Sequence, residues 1–483
     1  MIEKRQFYIN GHWVNPQQGR DHHVIDPTTE EPCAVISLGG QADVDAAVAA
    51  AKAALPGWMA TPAAERIALV EKLIKVYESR AEDMAQAMTI EMGAPIDFSR
   101  QQQVTAGTWH LNNFLTAAKG FHFNRPLGDH APDTRIVYEA VGVCALITPW
   151  NWPMNQVTLK VGAAAIAGCT MILKPSEESP LNAMIFAEMM HEAGFPAGVF
   201  NLVNGDGMGV GTALSGHKDV DMVSFTGSTR AGIAISKNAA DTLKKVHLEL
   251  GGKGANLIFA DADDKAVKRG VLHMMSNSGQ SCNAPSRMMV QAEAYDKAVE
   301  TAAEVANGVT VGPAHESGRH IGPVVNEVQF NKIQALIQKG IDEGARLVAG
   351  GPGRPEHLNR GFFVRPTVFA DVTPDMTIAR EEIFGPVLSI LKFDTEAQAL
   401  EMANDTVYGL TNYVQTTDAA RANRLALQLR SGMVEMNGKS RGAGSPFGGM
   451  KQSGNGREGG TWGIEDFCEV KAVSGWNNDV AAE

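Results

Sequence analysis

The sequence is poor in cysteine and contains no apolar run long enough to cross a bilayer. Its five cysteines among 483 residues are odd in number and widely spaced, and no Cys-x-x-Cys occurs. We therefore expect neither a disulfide framework nor a structural zinc site, and a reducing compartment fits this pattern best. The weakly polar run Val161–Leu173 is too short for a membrane span, and Met1–Trp13 lacks the apolar core of a signal peptide. These absences predict a cytoplasmic protein with no metal and no membrane partner.

Positive charge is also in deficit. Lysine and arginine total 42, against 54 aspartates and glutamates, and the formal net charge is −12. A chain this acidic repels a phosphate backbone, which disfavours a nucleic-acid partner. The composition, 44% hydrophobic and 20% charged, is otherwise that of a globular protein. Because 483 residues exceed the size at which one core stops growing, we expect two or more domains.

What is present is an alternation of strand-like and helix-like segments. A long helical pattern at 43–92 comes first. Strands are then predicted at 141–147, 170–173, 199–203, 222–225 and 246–250, and helices at 154–167 and 180–193. Parallel strands need crossover connections, so this alternation predicts a doubly wound α/β sheet.

A second α/β unit is predicted beyond Gly251-Gly252, where we place the domain boundary. Its strand candidates are 256–260, 288–290, 387–391 and 432–436, and the pattern ends near residue 450. The stretch Phe123–Tyr138 differs from both units, because it carries two prolines, mixed charge and no helical period. It predicts an extended hairpin that leaves the domain.

Cys282 lies in the small, polar segment Ser278-Gly279-Gln280-Ser281-Cys282-Asn283. A single cysteine is usually a small buried hydrophobe, but the apolar neighbours that this alternative needs are missing. A cysteine among small loop residues can be approached by a substrate. Only its thiolate is a good nucleophile, so we expect a basic partner nearby. The segment alone leaves both alternatives open.

Glu249 and Asn151 both follow predicted strands. Glu249 stands at the carboxyl end of its strand, where open α/β sheets place their ligand crevice, and burial there would raise its pKa toward that of a general base. The alternative is an exposed strand glutamate. Asn151 lies in the turn Thr148–Pro153, between two tryptophans and two prolines. Its amide is a donor of the kind that acyl chemistry needs, whereas a core aromatic cluster is the alternative.

Two further strand ends carry residues suited to a nucleotide. Phe225–Thr229 runs from a strand into a helix start, and free N–H groups there suit a pyrophosphate. Its spacing to Gly232 is not the G-x-G-x-x-G fingerprint, and a plain glycine turn explains it equally well. Lys174–Glu177 offers a carboxylate that can accept hydrogen bonds from a ribose diol and that repels a 2′-phosphate, which favours NAD over NADP. A solvated turn is the alternative there.

In this order, the motifs resemble those of the aldehyde dehydrogenase superfamily along essentially the whole chain. The matching segments are 148–153, 174–177, 225–229, 248–253, 279–282, 381–387, and 446–449 with 453–458. The resemblance implies an aldehyde-dehydrogenase-like α/β fold with a doubly wound cofactor domain, an α/β catalytic domain and a β-hairpin oligomerisation flap. The implied bounds are 1–122 and 142–250 for the NAD-binding domain, 251–450 for the catalytic domain, and 123–141 with 451–483 for the oligomerisation segments of a homodimer or homotetramer.

The resemblance also implies roles for individual residues. Cys282 would be the nucleophile, Glu249 the general base, and Asn151 an oxyanion donor together with the backbone N–H of Cys282. Lys160 and Glu458 match residues linked to proton traffic. The cofactor is NAD, with NADP as the alternative, and the implied contacts are Ile147, Trp150, Lys174, Ser176, Glu177, Gly207, Gly211, Phe225, Thr226, Gly227, Ser228, Leu250, Glu382 and Phe384. The implied substrate tunnel is lined by Trp152, Asn155, Gln156, Leu159, Arg441 and Phe447.

The implied reaction oxidises an aldehyde to a carboxylic acid through a thiohemiacetal and a thioester on Cys282. Asn155, Gln156 and Arg441 are polar where relatives that act on apolar aldehydes often carry aromatic residues. We therefore predict a semialdehyde or ω-oxo acid as substrate, with Arg441 pairing with a distal carboxylate. The alternative is that Arg441 points into solvent. Arg230 departs from the family, because an acidic residue is common there, and its charge weakens the preference for NAD.

Two other classes of protein compete with this interpretation. A cofactor-independent cysteine hydrolase or thioesterase would also use a cysteine, a glutamate and an asparagine, but it has no need for the nucleotide residues 174–177 and 382–384. A catalytically inactive binding protein of the same fold is disfavoured because Cys282, Glu249 and Asn151 are all intact. Acyl transfer to coenzyme A is disfavoured by Glu249, which favours water.

Overall fold

The structure is a computed structural model that describes residues 1–17 and 19–477. The strands in these residues are β1 (Ile2–Lys4), β2 (Phe7–Ile9), β3 (His12–Val14), β4 (Arg20–Asp26), β5 (Glu31–Leu38), β6 (Asn124–Gly128), β7 (Ala131–Ala140), β8 (Val143–Ile147), β9 (Thr170–Lys174), β10 (Phe200–Leu202), β11 (Met222–Thr226), β12 (Lys245–Glu249), β13 (Ala255–Ile258), β14 (Arg287–Gln291), β15 (Arg346–Ala349), β16 (Thr367–Ala370), β17 (Val387–Phe393), β18 (Thr411–Gln415), β19 (Met433–Met436), β20 (Gly454–Asn455) and β21 (Cys468–Ser474).

The α-helices of the same residues are α1 (Gln41–Ala60), α2 (Ala63–Ser79), α3 (Ala81–Met92), α4 (Ile96–Phe98), α5 (Val104–Lys119), α6 (Pro153–Ala167), α7 (Leu181–Glu192), α8 (Thr212–Gly216), α9 (Thr229–Ala239), α10 (Ala266–Met275), α11 (Tyr295–Asn307), α12 (Glu327–Asp342), α13 (Thr377–Arg380), α14 (Glu396–Asn404), α15 (Ala419–Gln428) and α16 (Gly460–Asp466). Two π-helical turns, Ser99–Gln103 and Gly207–Gly211, lead into α5 and α8. The long helical pattern at 43–92 is divided into α1, α2 and α3, with its first break at Thr61-Pro62, where Pro62 stands at the start of α2, a position that suits proline, whereas Pro56 lies within α1.

The predicted doubly wound sheet is confirmed as an eight-stranded sheet in the order β20-β12-β11-β8-β9-β10-β2-β3. The five strands from β12 to β10 are parallel, β20 and β2 pair antiparallel with the outer two of them, and β3 pairs antiparallel with β2. Alternate residues of β8 show that both faces are covered. Val143 and Ala145 pack with α1, α8 and α9, whereas Cys144 and Leu146 pack with α2, α5, α6 and α7. Because β8 is buried on both faces, all of its residues are apolar, which explains the continuous apolar run in the sequence.

A seven-stranded sheet in the order β15-β16-β17-β14-β13-β18-β19 follows at the predicted boundary. Its strands are parallel except at the edge pair β15-β16. Met289 of β14 packs into one core, and Met288 and Val290 pack into the core on the opposite face. The chain passes from the eight-stranded to the seven-stranded sheet between Glu249 and Ala255. The last residue of β12 and the first residue of β13 therefore lie at this connection.

The predicted hairpin forms as β6 and β7, and β21 completes a three-stranded antiparallel sheet in the order β21-β7-β6. Its surface is exposed, with Val470 61% accessible. Within the predicted oligomerisation segment 451–483, β20 pairs with β12 of the eight-stranded sheet, and residues 478–483 lie outside the described residues. The sequence did not indicate the three-stranded sheet of β1, β5 and β4.

Every helix of the described residues is too short or too polar for a membrane span. Over the same part of the chain, His, Cys, Asp and Glu side chains do not gather in threes as a metal site requires.

Candidate active site

The parallel strands β8 to β12 end along one edge of their sheet, and this edge carries the predicted nucleotide residues. Lys174, the last residue of β9, has a buried ammonium group that donates to the backbone oxygen of Pro175 and to Glu177 Oε2, each at 3.1 Å. Ser228 follows β11 and caps α9 by accepting from the N–H of Ala231 at 3.2 Å. The first N–H groups of α9 therefore face the same edge, as an anion site requires.

Glu382 and Phe384 reach this edge from the second sheet. Glu382 Oε1 accepts a hydrogen bond from the N–H of Gly252 at 2.9 Å. A Cβ at Gly251 would lie 2.3 Å from Glu382 Oε2, so glycine at 251 leaves the carboxylate free to occupy this position. The ring of Phe384 packs edge-on against Trp150 with the centroids 5.4 Å apart.

These groups fit a dinucleotide. An ammonium group and a helix N-terminus suit its phosphates, and a carboxylate stands at each end where a ribose would bind.

The loop before Cys282 is turned by two residues with left-handed backbone conformation, Asn277 (φ 52°) and Ser278 (φ 55°). Such conformations are uncommon outside glycine and persist where the surroundings impose them. Here the side chain of Asn277 donates to the backbone oxygens of Asn151 at 2.9 Å and Gln280 at 3.2 Å. The loop is therefore fastened to the turn that follows β8.

Asn151 and Cys282 are brought together by this fastening. Asn151 Nδ2 donates to the backbone oxygen of Gln280 at 3.0 Å, and Trp152 Nε1 donates to Ser281 Oγ at 2.8 Å. An amide nitrogen carries two hydrogens, so Asn151 keeps one donor beyond this contact. Cys282 itself is half-buried and packs against three apolar side chains, Leu410, Met433 and Phe447.

The electrostatic surroundings of Cys282 differ from those expected. Burial, together with the carboxylates of Glu382 and Glu249, raises the pKa of the thiol to about 12, although Arg441 acts in the opposite direction. The thiol is therefore protonated at neutral pH in the protein alone. The neighbouring basic group is a carboxylate, Glu249, and not an amine.

Glu249 ends β12 and is 1% exposed. Burial and the charge of Glu458 raise its pKa to about 7, although His247 and Lys160 oppose them. Within the described residues, neither carboxylate oxygen makes a hydrogen bond. A carboxylate that titrates near neutral pH and keeps free lone pairs can take a proton from a bound water.

Lys160 and Glu458, the two residues for which the resemblance predicts a role in proton traffic, form a buried ion pair. Lys160 Nζ lies 2.6 Å from Glu458 Oε1 and donates to Ser224 Oγ at 3.0 Å. Their side chains are 0% and 2% exposed. The pair joins α6 to the segment before α16, close enough to Glu249 for both charges to act on it.

A cleft of about 650 Å³ opens beside the Cys282 loop at Asn283. Three of the predicted tunnel residues line it, namely Trp152, Asn155 and Arg441. Phe447 lies under Arg441, with the guanidinium carbon 4.6 Å from the ring centroid. Gln156 and Leu159 are buried on α6 and are outside the walls of this cleft.

The cleft also contains polar groups that the sequence did not single out. His110 is buried, and its Nε2 lies 2.6 Å from Asn155 Oδ1. Burial lowers the pKa of His110 to about 4, so the ring is neutral at physiological pH. Glu435 Oε1 lies 3.3 Å from Arg441 Nε. These residues come from separate elements with no shared motif, so no sequence signal marked them.

Comparison with known proteins gives a consistent result. The sequence model described as the aldehyde dehydrogenase family matches residues 13–473. A 3-succinoylsemialdehyde-pyridine dehydrogenase from a Pseudomonas species is 49% identical over 99% of both chains. The crystal structure of an aldehyde dehydrogenase from Bartonella henselae is 58% identical, with a TM-score of 0.98 over 99% of this chain and 100% of the other. A mutant aldehyde dehydrogenase C from Pseudomonas syringae, in complex with NAD⁺ and octanal, is 46% identical, with a TM-score of 0.96 over 98% and 97%.

Proposed function

The chain belongs to the aldehyde dehydrogenase family, and we propose that Cys282, Glu249 and Asn151 perform its NAD-dependent oxidation of an aldehyde to a carboxylic acid. The family resemblance predicted from the sequence is confirmed, and nothing favours the hydrolase or inactive-protein alternatives. The assignment of residues rests on one observation. Asn151 is hydrogen-bonded to the loop of Cys282, and the charge of Glu249 acts on that cysteine, although the three are far apart in sequence.

In the proposed mechanism, the thiol of Cys282 first gives its proton to a neighbouring water, and the resulting thiolate attacks the aldehyde carbon. The carbonyl oxygen becomes an oxyanion that accepts hydrogen bonds from Asn151 Nδ2 and from the backbone N–H of Cys282. NAD⁺, when bound, accepts the hydride that leaves this carbon. Lys174, Glu177, Ser228, Glu382 and Phe384 hold the cofactor in this proposal, and the remaining implied contacts lie along the same sheet edge.

The second half of the reaction is hydrolysis of the thioester on Cys282. Glu249 takes a proton from a water molecule while the oxygen of that water adds to the acyl carbon. The carbon–sulfur bond then breaks, which releases the acid and returns the thiolate of Cys282. Lys160 and Glu458 sit behind Glu249 and are proposed to carry its proton away. Because Glu249 is 1% exposed, the water that it activates is separated from bulk solvent.

Asn151→Ala is expected to lower kcat by about 10²–10³-fold, because one preorganised donor to the oxyanion is lost. Steady-state formation of reduced cofactor measures this, together with the KM for NAD⁺, which should remain unchanged. Asn307→Ala, at an exposed position at the end of α11, is the control. A variant at 151 with kcat close to that of the natural enzyme would remove Asn151 from the mechanism.

We propose that the substrate carries a polar or anionic group at the end remote from the aldehyde. Asn155, His110 and Arg441 make the walls of the cleft polar at that end. The semialdehyde in the name of the Pseudomonas relative agrees with this, whereas octanal, bound in the other relative, has no such group. Arg441 is paired with Glu435, so a substrate carboxylate has to compete with that pair.

Arg441→Ala is expected to lower kcat/KM for an ω-carboxylated aldehyde by about tenfold and to spare the unsubstituted aldehyde of equal length, because a charge-assisted contact is lost. Glu435→Gln should shift the preference the other way, since it frees the guanidinium group. Rates of reduced-cofactor formation with both aldehydes give the ratio. An unchanged ratio in Arg441→Ala would rule out this specificity.

We propose a cytoplasmic homodimer or homotetramer. All five cysteines are unpaired, which suits a reducing compartment. The sheet of β6, β7 and β21 presents an exposed face and free strand edges, which are the features of a surface that pairs with another subunit.

A further inference from the structure

His247 lies two residues before Glu249 on β12, so both side chains point to the same face of the strand. Its ring is buried and stands between two carboxylates. Nδ1 is hydrogen-bonded to the side chain of Asp466, and Nε2 lies 3.5 Å from Glu249 Oε1. The imidazole therefore connects the candidate general base to a second acid that belongs to α16.

Asp466 connects this line of groups to the surface. Its side chain is 17% exposed and lines an open cleft of about 580 Å³. Gly456 also lines the cleft, and a Cβ there would lie 2.7 Å from His247 Nδ1. Because Gly456 has a φ of +81°, both its backbone and the space for the ring require glycine. The fold thus leaves a fitted place for the imidazole between Glu249 and the cleft.

We propose that His247, held in place by Asp466, is a positioning residue that orients Glu249 and supplies a cation that stabilises its ionised carboxylate. This inference rests on the proposed role of Glu249 as general base. It adds a second route of control over Glu249, separate from the pair formed by Lys160 and Glu458.

Three charged groups face Glu249, and they differ in what else they contact. Lys160, on α6, is bound to Glu458 at 2.6 Å, so its charge is largely offset. Glu458 is itself an acid and raises the pKa of Glu249, as burial does. His247 is the remaining cation, and its charge, with Nε2 3.5 Å from Glu249 Oε1, lowers the pKa of Glu249. Without His247, the pKa of Glu249 would rise, and its protonated form would be favoured.

The groups around His247 keep its ring charged. Burial alone would lower its pKa, but Asp466, Glu249 and Glu458 outweigh burial and raise it to about 9. Asp466 also faces Lys245, whose Nζ lies 3.5 Å from Asp466 Oδ1. Although burial acts to raise the pKa of Asp466, His247 and Lys245 hold it below its usual value. At neutral pH the line therefore consists of Glu249, which titrates near this pH, followed by an imidazolium and the carboxylate of Asp466.

His247→Gln and Asp466→Asn test this in the full-length enzyme, by stopped-flow measurement of the hydrolytic step from about pH 5.5 to pH 9.5. The natural enzyme should gain rate as pH rises through the pKa of Glu249, about 7. In His247→Gln this rising part of the pH–rate profile, its acidic limb, should shift by about one unit to higher pH. The rate of hydrolysis should then be about tenfold lower on the acidic side and equal to that of the natural enzyme at high pH. Asp466→Asn should move the limb in the same direction by less, and it should add nothing in the His247→Gln background.

If His247 had a purely structural role, His247→Gln would lower the maximal rate at high pH and leave the pH of the acidic limb unchanged. That result would overturn the inference. If His247→Gln does not fold, Asp466→Asn alone tests the proposal, because this variant keeps the imidazole ring of His247. An acidic limb at the same pH as in the natural enzyme would then reject the proposal. His357→Gln, at an exposed loop position, is the matched control. Glu249→Gln separates the two hypotheses. If it keeps full turnover, the proposed function fails, whereas its loss with an unmoved limb in His247→Gln defeats only the inference.

Discussion

Cys282→Ala is expected to lower kcat by about 10⁴-fold or more, because the variant lacks the thiolate that forms the covalent intermediate. NAD⁺ should bind as before, since Lys174 and Glu177 belong to β9 and its turn and make no contact with the sulfur. Absorbance of the reduced cofactor measures turnover, and titration calorimetry with NAD⁺ measures binding.

Cys33→Ala provides the control for this substitution. Cys33 is half-buried on β5, where its thiol donates to the backbone oxygen of Val24 at 3.3 Å, outside the cleft. The control should retain full turnover. Retained oxidation in Cys282→Ala would contradict the mechanism, and loss of NAD⁺ binding in that variant would show that the cysteine loop also shapes the cofactor cleft.

Glu249→Gln is expected to separate the two halves of the reaction. Glutamine keeps the size of the side chain but cannot take a proton from water, so the thioester should form and then persist. Rapid mixing should show a burst of reduced cofactor close to one equivalent per active site, followed by a steady rate lowered by about 10²–10⁴-fold. Mass spectrometry of the quenched protein should find the acyl group on Cys282.

Glu188→Gln is the matched control, because Glu188 is paired with Lys4 at 2.7 Å and Arg80 at 2.8 Å on α7 and does not face the cleft. It should keep the natural steady rate. If Glu249→Gln turned over without a burst and at the natural rate, another group would have to activate the water.

The elements that could be predicted from the sequence are those whose burial is uniform. β8, β9 and β11 are buried on both faces and α6 on nearly all sides, so their apolar runs alone locate them to within two residues. The N-terminal strands β1 to β5 were missed because β1, β2 and β3 are only three residues long and β4 is largely exposed, and because the pairing of all five depends on partners that the local pattern does not contain.

In the candidate site, the sequence predicted residues that follow the ends of strands. It did not predict which charged groups surround those residues. It led us to expect a basic partner for Cys282, whereas the structure surrounds the thiol with carboxylates and one guanidinium group. It offered two alternatives for Arg441, and the structure pairs that residue with Glu435. His247 was within reach of sequence reasoning, since period two places it beside Glu249. Asp466 was not, because α16 meets β12 only through the tertiary fold.

The pairing of β20 with β12 bears on how the chain folds as it is made. Leu248 is in register with Asn455, and Glu249 with Gly454, so the strand that carries the general base gains its outer neighbour from near the end of the chain. During synthesis, β12 remains an open edge until the second sheet has emerged. Such distant pairings are slow to form, and unpaired edges attract other chains. The nucleotide-binding half can therefore be completed only after most of the protein has left the ribosome.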